Sequence, residues 1–448
     1  MSKGLYIHIP FCVKKCNYCD FLSAPADRDT IKAYVDELLE EIKYKSFAFE
    51  NLYDEDSNDL DTIFIGGGTP SILDGEDILR IMKCVDRNFY IMPGAEITME
   101  VNPGTLCNNA GNMKDNLQNN LKEKEEGLLQ DYNENENEKS KNQDDNISFC
   151  SEKSAREKIR AWKAAGINRI SIGLQSTDNE ELKCLGRIHT YETFLENYKL
   201  LREENFENIN VDLISAIPGQ SLETWKKSLE TVCKLGPEHI SAYSLIVEEG
   251  TPFYKIYGED LARRDAGEEP RLLPTEETER AIYQATARIL ERYGYKRYEI
   301  SNYAKPGYEC KHNLRYWERK DYIGVGLGAS SLIDNKRYKN LIDLRDYMGM
   351  FTEELYLQYI SMYEEMEELD TKAQMEEFMF LGLRKTAGIS PKEFDACFGQ
   401  GMFKAKYLDL VESFAKKELM EECPNGNWKL TDKGVDVSNI VLADMLLD

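Results

Sequence analysis

No apolar stretch in these 448 residues reaches the ~18–20 positions that a membrane span needs. Positive charge is also in short supply. Fifty-six basic side chains stand against 81 acidic ones, a formal net charge of −25, which makes the chain a poor partner for nucleic acid or for an anionic membrane surface. A secretory leader pattern is missing too: Met-Ser-Lys-Gly runs straight into a strand-like stretch at 5–9. The eleven cysteines lack the dense, even spacing of a secreted disulfide scaffold, since eight of them lie far apart. Together these absences predict a cytoplasmic protein with free thiols, except where a metal claims them. What is present suits a folded enzyme-sized chain. Hydrophobic residues make up 42%, enough for a sizeable core, and the length suggests two or three domains.

Apolar strand-like runs alternate with amphipathic helical runs. "GLYIHIP" reads as a strand, and Ile31, Tyr34, Val35, Leu38, Leu39 and Ile42 mark one face of a following helix. "DTIFIGGGTP" is a strand ending in glycines, with a helix over 76–89, and "EITMEVNP" is a third strand. After it come the helix "SAREKIRAWKAAG", the strand "INRISIGLQS", a helix over 178–203, the strand "INVDLISAIPG", a helix over 221–235 and the strand "HISAYSLIVEEG". Six β/α units to about residue 250 predict a parallel sheet covered by helices, with its chemistry at the C-terminal ends of the strands.

Residues 105–152 break the rhythm. Between 111 and 150 there are ten acidic and five basic residues with few large apolar ones, so this insert is expected to be disordered, as a solvated loop or an acidic recognition arm. Beyond 250 a helix over 275–293 leads into short strands. This region, 251–369, reads as an extension of the 1–250 core. Residues 370–448 form a small domain in which "WKLT" followed by a helix suggests a winged helix. Its acidic neighbours Glu418, Glu421 and Glu422 favour packing over DNA binding.

The chemistry concentrates in "CVKKCNYCDF". Cys12, Cys16 and Cys19 follow the first strand in C-x3-C-x2-C spacing, and the next cysteine is Cys84. A [4Fe–4S] cluster is usually held by four thiolates, one per iron, so three leave one iron open to another ligand. A zinc knuckle completed from afar and a set of redox thiols are the rival readings. The cluster is favoured by Tyr18 beside Cys19 and by the motif's place in a β/α series. "GGGTP" at 66–70 lets backbone approach a ligand and is not a P-loop, because no Gly-Lys-Ser/Thr follows; a plain structural turn is the other reading. "GVGLGA" at 324–329 matches a dinucleotide fingerprint in letters only, with no βαβ unit around it. Histidine is scarce, at four in all. His8 lies within the first strand as a core residue, and His189 and His239 carry no signal. His312 lies beside Tyr316 and Trp317 in "CKHNLRYW". It reads either as a satisfied structural residue or as a haem ligand with flat apolar surface beside it.

Taken together, "YIHIPFCVKKCNYCDF", "IFIGGGTPS", "EITMEVNPG", "RISIGLQS", "LGRIH" and "CKHNLRYW" resemble the HemW family, radical-SAM haem chaperones long labelled oxygen-independent coproporphyrinogen III oxidase-like. The resemblance covers nearly the whole chain outside 105–152. It implies a partial (β/α)6 TIM barrel with C-terminal additions, a [4Fe–4S] cluster on Cys12, Cys16 and Cys19, S-adenosylmethionine (SAM), and haem. It places Tyr6, Tyr18, Gly67, Gly68, Thr69, Glu100, Gln175, Arg187 and Asp212 where the related oxidase contacts SAM. It links His312, Asn313, Tyr316 and Trp317 to haem. A haem-accepting protein is the implied partner, with peripheral contact to membrane haemoproteins and no nucleic acid. The oxidase itself, HemN, carries a further cysteine where this chain has Phe21, and a longer arm before the cluster than the eleven residues here. Both differences favour haem transfer over radical decarboxylation of coproporphyrinogen. "SAIPGQ" at 215–220, Ser330 and the long insert depart from the family pattern.

Overall fold

The computed structural model describes residues 2–52, 58–106, 152–350 and 363–447. The acidic insert expected over 105–152 lies almost wholly outside these residues.

A twelve-stranded sheet organises the chain. Six strands follow one another in sequence and in space, all parallel: β1 (Lys3–Ile9), β2 (Asp59–Gly67), β3 (Tyr90–Val101), β4 (Arg169–Gln175), β5 (Ile209–Ser215) and β6 (His239–Ser244). These are the six expected β/α units. The strands added after residue 250 extend both edges. Beyond β6 lie β8 (Asn302–Ala304) and β7 (Lys296–Arg297), both antiparallel to their neighbours. Beyond β1 lies β9 (Tyr322–Val325), parallel to it, then β10 (Ser330–Ile333), β11 (Lys336–Asn340) and β12 (Tyr363–Glu368). The strand that carries the cysteine loop is therefore interior to the sheet, although it is the first in the chain.

Side chains of the core strands point alternately to two faces, with register irregularities at Leu60/Thr62 and Gly173/Gln175. One set, including Leu5, Ile7, Ile63, Ile65, Ile170 and Val211, is completely buried under the helices. Ile31, Tyr34, Val35, Leu38 and Ile42 of the helix Arg28–Leu52 form the expected stripe against them, each at most 6% exposed. Trp162 and Trp225 fill the same layer from the helices Glu152–Ala164 and Leu222–Leu235. Each side chain of this kind contributes about 1.5–3 kcal/mol by leaving water. The other set faces inward and is largely polar: Thr62, Glu96, Arg169, Ser171, Asn210, Asp212 and His239. The apolar strand-like runs of the sequence thus carry a polar inner face at every second position.

Two corrections concern helices. The helix expected over 178–203 is two helices, Asn179–Cys184 and Tyr191–Glu203. Gly186 turns the chain between them at φ +76°, and Thr190 caps the second through its side chain. A helix over Pro252–Asp265, capped by Thr251, follows β6 and was not anticipated. At the C-terminus the expected strand is β14 (Trp428–Leu430), paired antiparallel with β13 (Met420–Glu422) and followed by the helix Asp432–Asp436. With the neighbouring helices it builds a separate core around Met379, Phe394, Tyr407 and Val411.

Candidate functional site

The loop after β1 is pinned at several points. Cys12 N donates to Ala24 O at 3.2 Å and Ala24 N to Pro10 O at 3.0 Å. Asn17 reaches across the barrel mouth: its N–H donates to Leu185 O at 3.0 Å, its side-chain amide to Cys184 O at 2.9 Å, and its carbonyl accepts from Phe253 N at 2.9 Å. The cysteine loop is thus tied to the chain after β4 and to the helix after β6. Cys12 is buried, Cys16 and Cys19 are half-buried, and none is in a disulfide. Burial pushes the thiols of Cys12 and Cys19 up, while Lys15 pulls both the other way. Among the described residues, no three His, Cys, Asp or Glu side chains converge as a single-ion site would require. A cubane cluster takes each thiolate at a different iron, which suits three thiols spread along one fixed loop, and coordination by the metal removes the thiol protons outright.

Arg187 belongs to the loop freed by the helix break. Its guanidinium donates to Cys16 Sγ at 3.6 Å and to Gly173 O at 2.8 Å, and it pulls the Tyr18 hydroxyl down against the upward push of burial. Arg187 Nε is buried and has no hydrogen-bond partner among the described residues. An orphaned buried donor of this kind is costly unless a ligand satisfies it. Tyr18 rests 6.5 Å from the Phe253 ring.

The glycine stretch closes β2. Gly67 has φ +112°, where a side chain is strained, and a Cβ there would meet the His8 ring at 2.6 Å. Gly68 N donates to Ile9 O at 2.8 Å. Thr69 is buried at the start of a short turn of helix with Pro70. Gly67 N also donates to Glu100 Oε2 at 3.1 Å. Burial first, then Asp212 opposite, raises Glu100 to about 8. Asp212 is raised as well, chiefly by burial, although Ser241, Asn210 and Ser171 hydrogen-bond to it. His8 Nε2 donates to Leu22 O at 3.0 Å, which leaves Nδ1 to accept from the Tyr6 hydroxyl at 3.0 Å. Gln175 ends β4 with φ +73°. Its amide lies where a Cβ on Gly173 would come within 2.8 Å, next to Arg187. Glu100 thus meets Gly67, and Gln175 and Arg187 flank Gly173, with Arg187 reaching the Cys16 thiol.

Sequence reading missed the polar chain that runs from Asp212. Asp212 accepts from Asn210 at 2.7 Å and from Ser171 at 2.9 Å. Asn210 meets His239 Nδ1 at 2.6 Å, and His239 Nε2 meets the Tyr298 hydroxyl at 2.8 Å. Polar residues at every second position of otherwise apolar strands were the available signal.

His312 departs from the expectation of a haem ligand. The helix Lys311–Trp317 plugs the opposite, N-terminal end of the barrel. Its first N–H groups, of Lys311 and His312, donate to the Glu96 carboxylate at 3.0 and 3.1 Å. His312 is 0% exposed. Its Nδ1 is paired with Thr62 Oγ1 at 3.0 Å and its Nε2 with the Tyr316 hydroxyl at 2.8 Å. Its ring stacks on Phe64, and burial holds it at about 3, hence neutral. Neither nitrogen is free for iron. Trp317 lies under the Arg384 guanidinium, 4.5 Å away, and Asn313 is half-buried on the same helix. The "GVGLGA" stretch is a strand–turn–strand. A Cβ on Gly326 would meet His8 O at 2.5 Å, so close packing requires the glycine there.

The radical SAM superfamily model matches residues 6–121 and 115–232, and the HemN C-terminal domain model matches 369–437. The fold is that of the structure titled as coproporphyrinogen III oxidase (HemN) from Escherichia coli, a radical SAM enzyme, with a TM-score of 0.72 at 21% identity over 99% of this chain and 90% of that one. With its three-cysteine loop, the chain belongs to the radical SAM superfamily. Its relatives narrow the placement. Heme chaperone HemW of Lactococcus lactis subsp. lactis (strain IL1403) is 32% identical over 99% of this chain and 97% of that protein. The HemW of Bacillus subtilis (strain 168) is 33% identical over 92% and 91%. Within the superfamily, then, the chain is a member of the HemW family. Among the described residues no helix is long and apolar enough to cross a membrane.

Proposed function

We propose that this protein is a haem chaperone, one that binds haem and passes it to an acceptor protein, built on a radical SAM core with a [4Fe–4S] cluster and SAM. The names of its full-length relatives carry the reading, and the fit of the inner-face residues to both cofactors supports it. Cys12, Cys16 and Cys19 hold the cluster. When bound, cluster and SAM supply one-electron cleavage of a C–S bond, the capacity that defines the superfamily.

The chain's own part is positioning. Gly67 and Gly68 admit SAM to the backbone, and Thr69 fixes the turn. The free Arg187 Nε offers a fork to its carboxylate. Glu100 and Asp212 accept from its amine and ribose hydroxyls. Gln175, Tyr6 and Tyr18 close the walls. Phe21, where the oxidase carries a further cysteine, favours transfer over decarboxylation. The test is anaerobic. Reconstituted protein is titrated with haem, and separately given coproporphyrinogen III, SAM and a reductant. Haem uptake with transfer to an apo-haemoprotein, and no protoporphyrinogen, is expected. Stoichiometric protoporphyrinogen with 5′-deoxyadenosine would replace the chaperone reading by the oxidase one.

A further inference from the structure

One residue latches the cysteine loop to the turn that carries Arg187. Asn17, between Cys16 and Tyr18, donates its N–H to Leu185 O at 3.0 Å and its side-chain amide to Cys184 O at 2.9 Å. Those two carbonyls close the helix Asn179–Cys184, and the last carbonyls of a helix have no partner within it. The loop after β1 thus caps a helix end 167 residues further along the chain. Asn17 O accepts in turn from Phe253 N at 2.9 Å. Leu185 and Phe253 are buried in a small apolar cluster of their own, against which Tyr18 packs, so the latch is seated on a fixed base.

Gly186, at φ +76°, leaves room for the amide: a Cβ there would come within 3.0 Å of Asn17 Cγ. The next residue, Arg187, reaches back to Cys16 Sγ at 3.6 Å. Cys16, Asn17, the helix end and Arg187 therefore form a closed ring of contacts. Within that ring the position of the cysteine loop sets where the unpartnered Arg187 Nε lies. Asn17 spends its side-chain amide and both backbone groups on the helix end and on Phe253, so it acts through Arg187. We propose that Asn17 is a positioning residue for SAM: by capping the 179–184 helix from the cysteine loop, it holds Arg187 where Nε meets the SAM carboxylate. This rests on the reading of Arg187 as a SAM contact. The residue type fits the task, because an aspartate would set a carboxylate against the Cys184 carbonyl in place of a donor.

The test measures SAM affinity by anaerobic equilibrium dialysis of cluster-loaded protein, without reductant so that no SAM is cleaved. The variants are Asn17→Ala, Asn17→Asp, Gly186→Ala and Arg187→Met, with Asn17→Ala and Gly186→Ala each also combined with Arg187→Met. Asn17→Ala is expected to weaken SAM about five- to tenfold with iron content unchanged, and Asn17→Asp at least as much. In the Arg187→Met background Asn17→Ala should cost nothing further, because its effect passes through the guanidinium. If Asn17→Ala also loses iron, Gly186→Ala, which lies off the cysteine loop, decides by the same comparison. Equal losses with and without Arg187, or no loss at all, overturn the inference and leave the SAM reading standing. An Arg187→Met variant that binds SAM as wild type does removes both.

Discussion

Glu100 lies between the glycine turn and Asp212, and this placement sets its proton. Its folded value of about 8 lies well above the ~4.3 of an unfolded glutamate. The folded state therefore holds a proton that the unfolded state has released across that window. The stability that Glu100 contributes is fully present below about pH 4.3 and is lost as pH rises to about 8. In ligand-free protein, Glu100→Gln should match wild type near pH 5 and melt progressively higher than it between pH 6 and 8.5. Thermal scans across that range check this, and a constant gap would show that Glu100 is ionised throughout. The residue was legible in the sequence because it ends a strand beside the glycines. Asp212, whose charge acts on it, was legible only through family likeness, because positions 100 and 212 lie 112 residues apart in the chain.

At the scale of elements, the strands and most helices could be read because their apolar stripes repeat at the right period. The helix Lys311–Trp317 could not be placed, because its partners are distant in sequence. Cys310 at its start makes no side-chain cap. That role falls to Glu96, more than 200 residues earlier, which accepts from two helix N–H groups and from the Cys310 thiol at 3.5 Å. Opposite charge at a helix N-terminus is favourable. Glu96→Ala leaves those buried donors unpaired and should cost about 2–3 kcal/mol in denaturant unfolding, with Glu96→Gln costing less. The break at Gly186 was missed for a different reason. The apolar pattern of 178–203 continues through it, and only the αL turn betrays the loop that delivers Arg187.

Across the whole molecule, the C-terminal domain is fastened to the barrel through charge. Glu377, 9% exposed, accepts from Arg319 Nε at 2.8 Å and from Arg337 on β11 at 2.5 Å. Arg297 reaches Asp432 at 2.8 Å. A cleft of about 290 Å³ lies along the same seam, lined by Arg297, Glu299, Arg384, Lys385, Lys429 and Asp432. Removing one partner of a largely buried ion pair costs about 3 kcal/mol. Glu377→Ala should therefore lower stability by that order and split one cooperative unfolding transition into two, as calorimetry would show. A single, unshifted transition would mean that the domains are joined by other contacts. Charged residues in the sequence announced neither the seam nor its pairing.

The position of β1 between β2 and β9 has a consequence in time. Gly4 and Tyr6 are paired with Tyr322 and Gly324 as well as with Thr62 and Phe64. While the chain is being synthesised, the strand bearing the cysteine loop has one flank open until some 300 further residues have been made. At roughly 5–20 residues per second, that interval is on the order of 15–60 s. Three free thiols wait through it beside an incomplete barrel. Stable iron binding at the loop is expected only after β9 has emerged and paired with β1, and a nascent chain arrested before residue 320 should carry none.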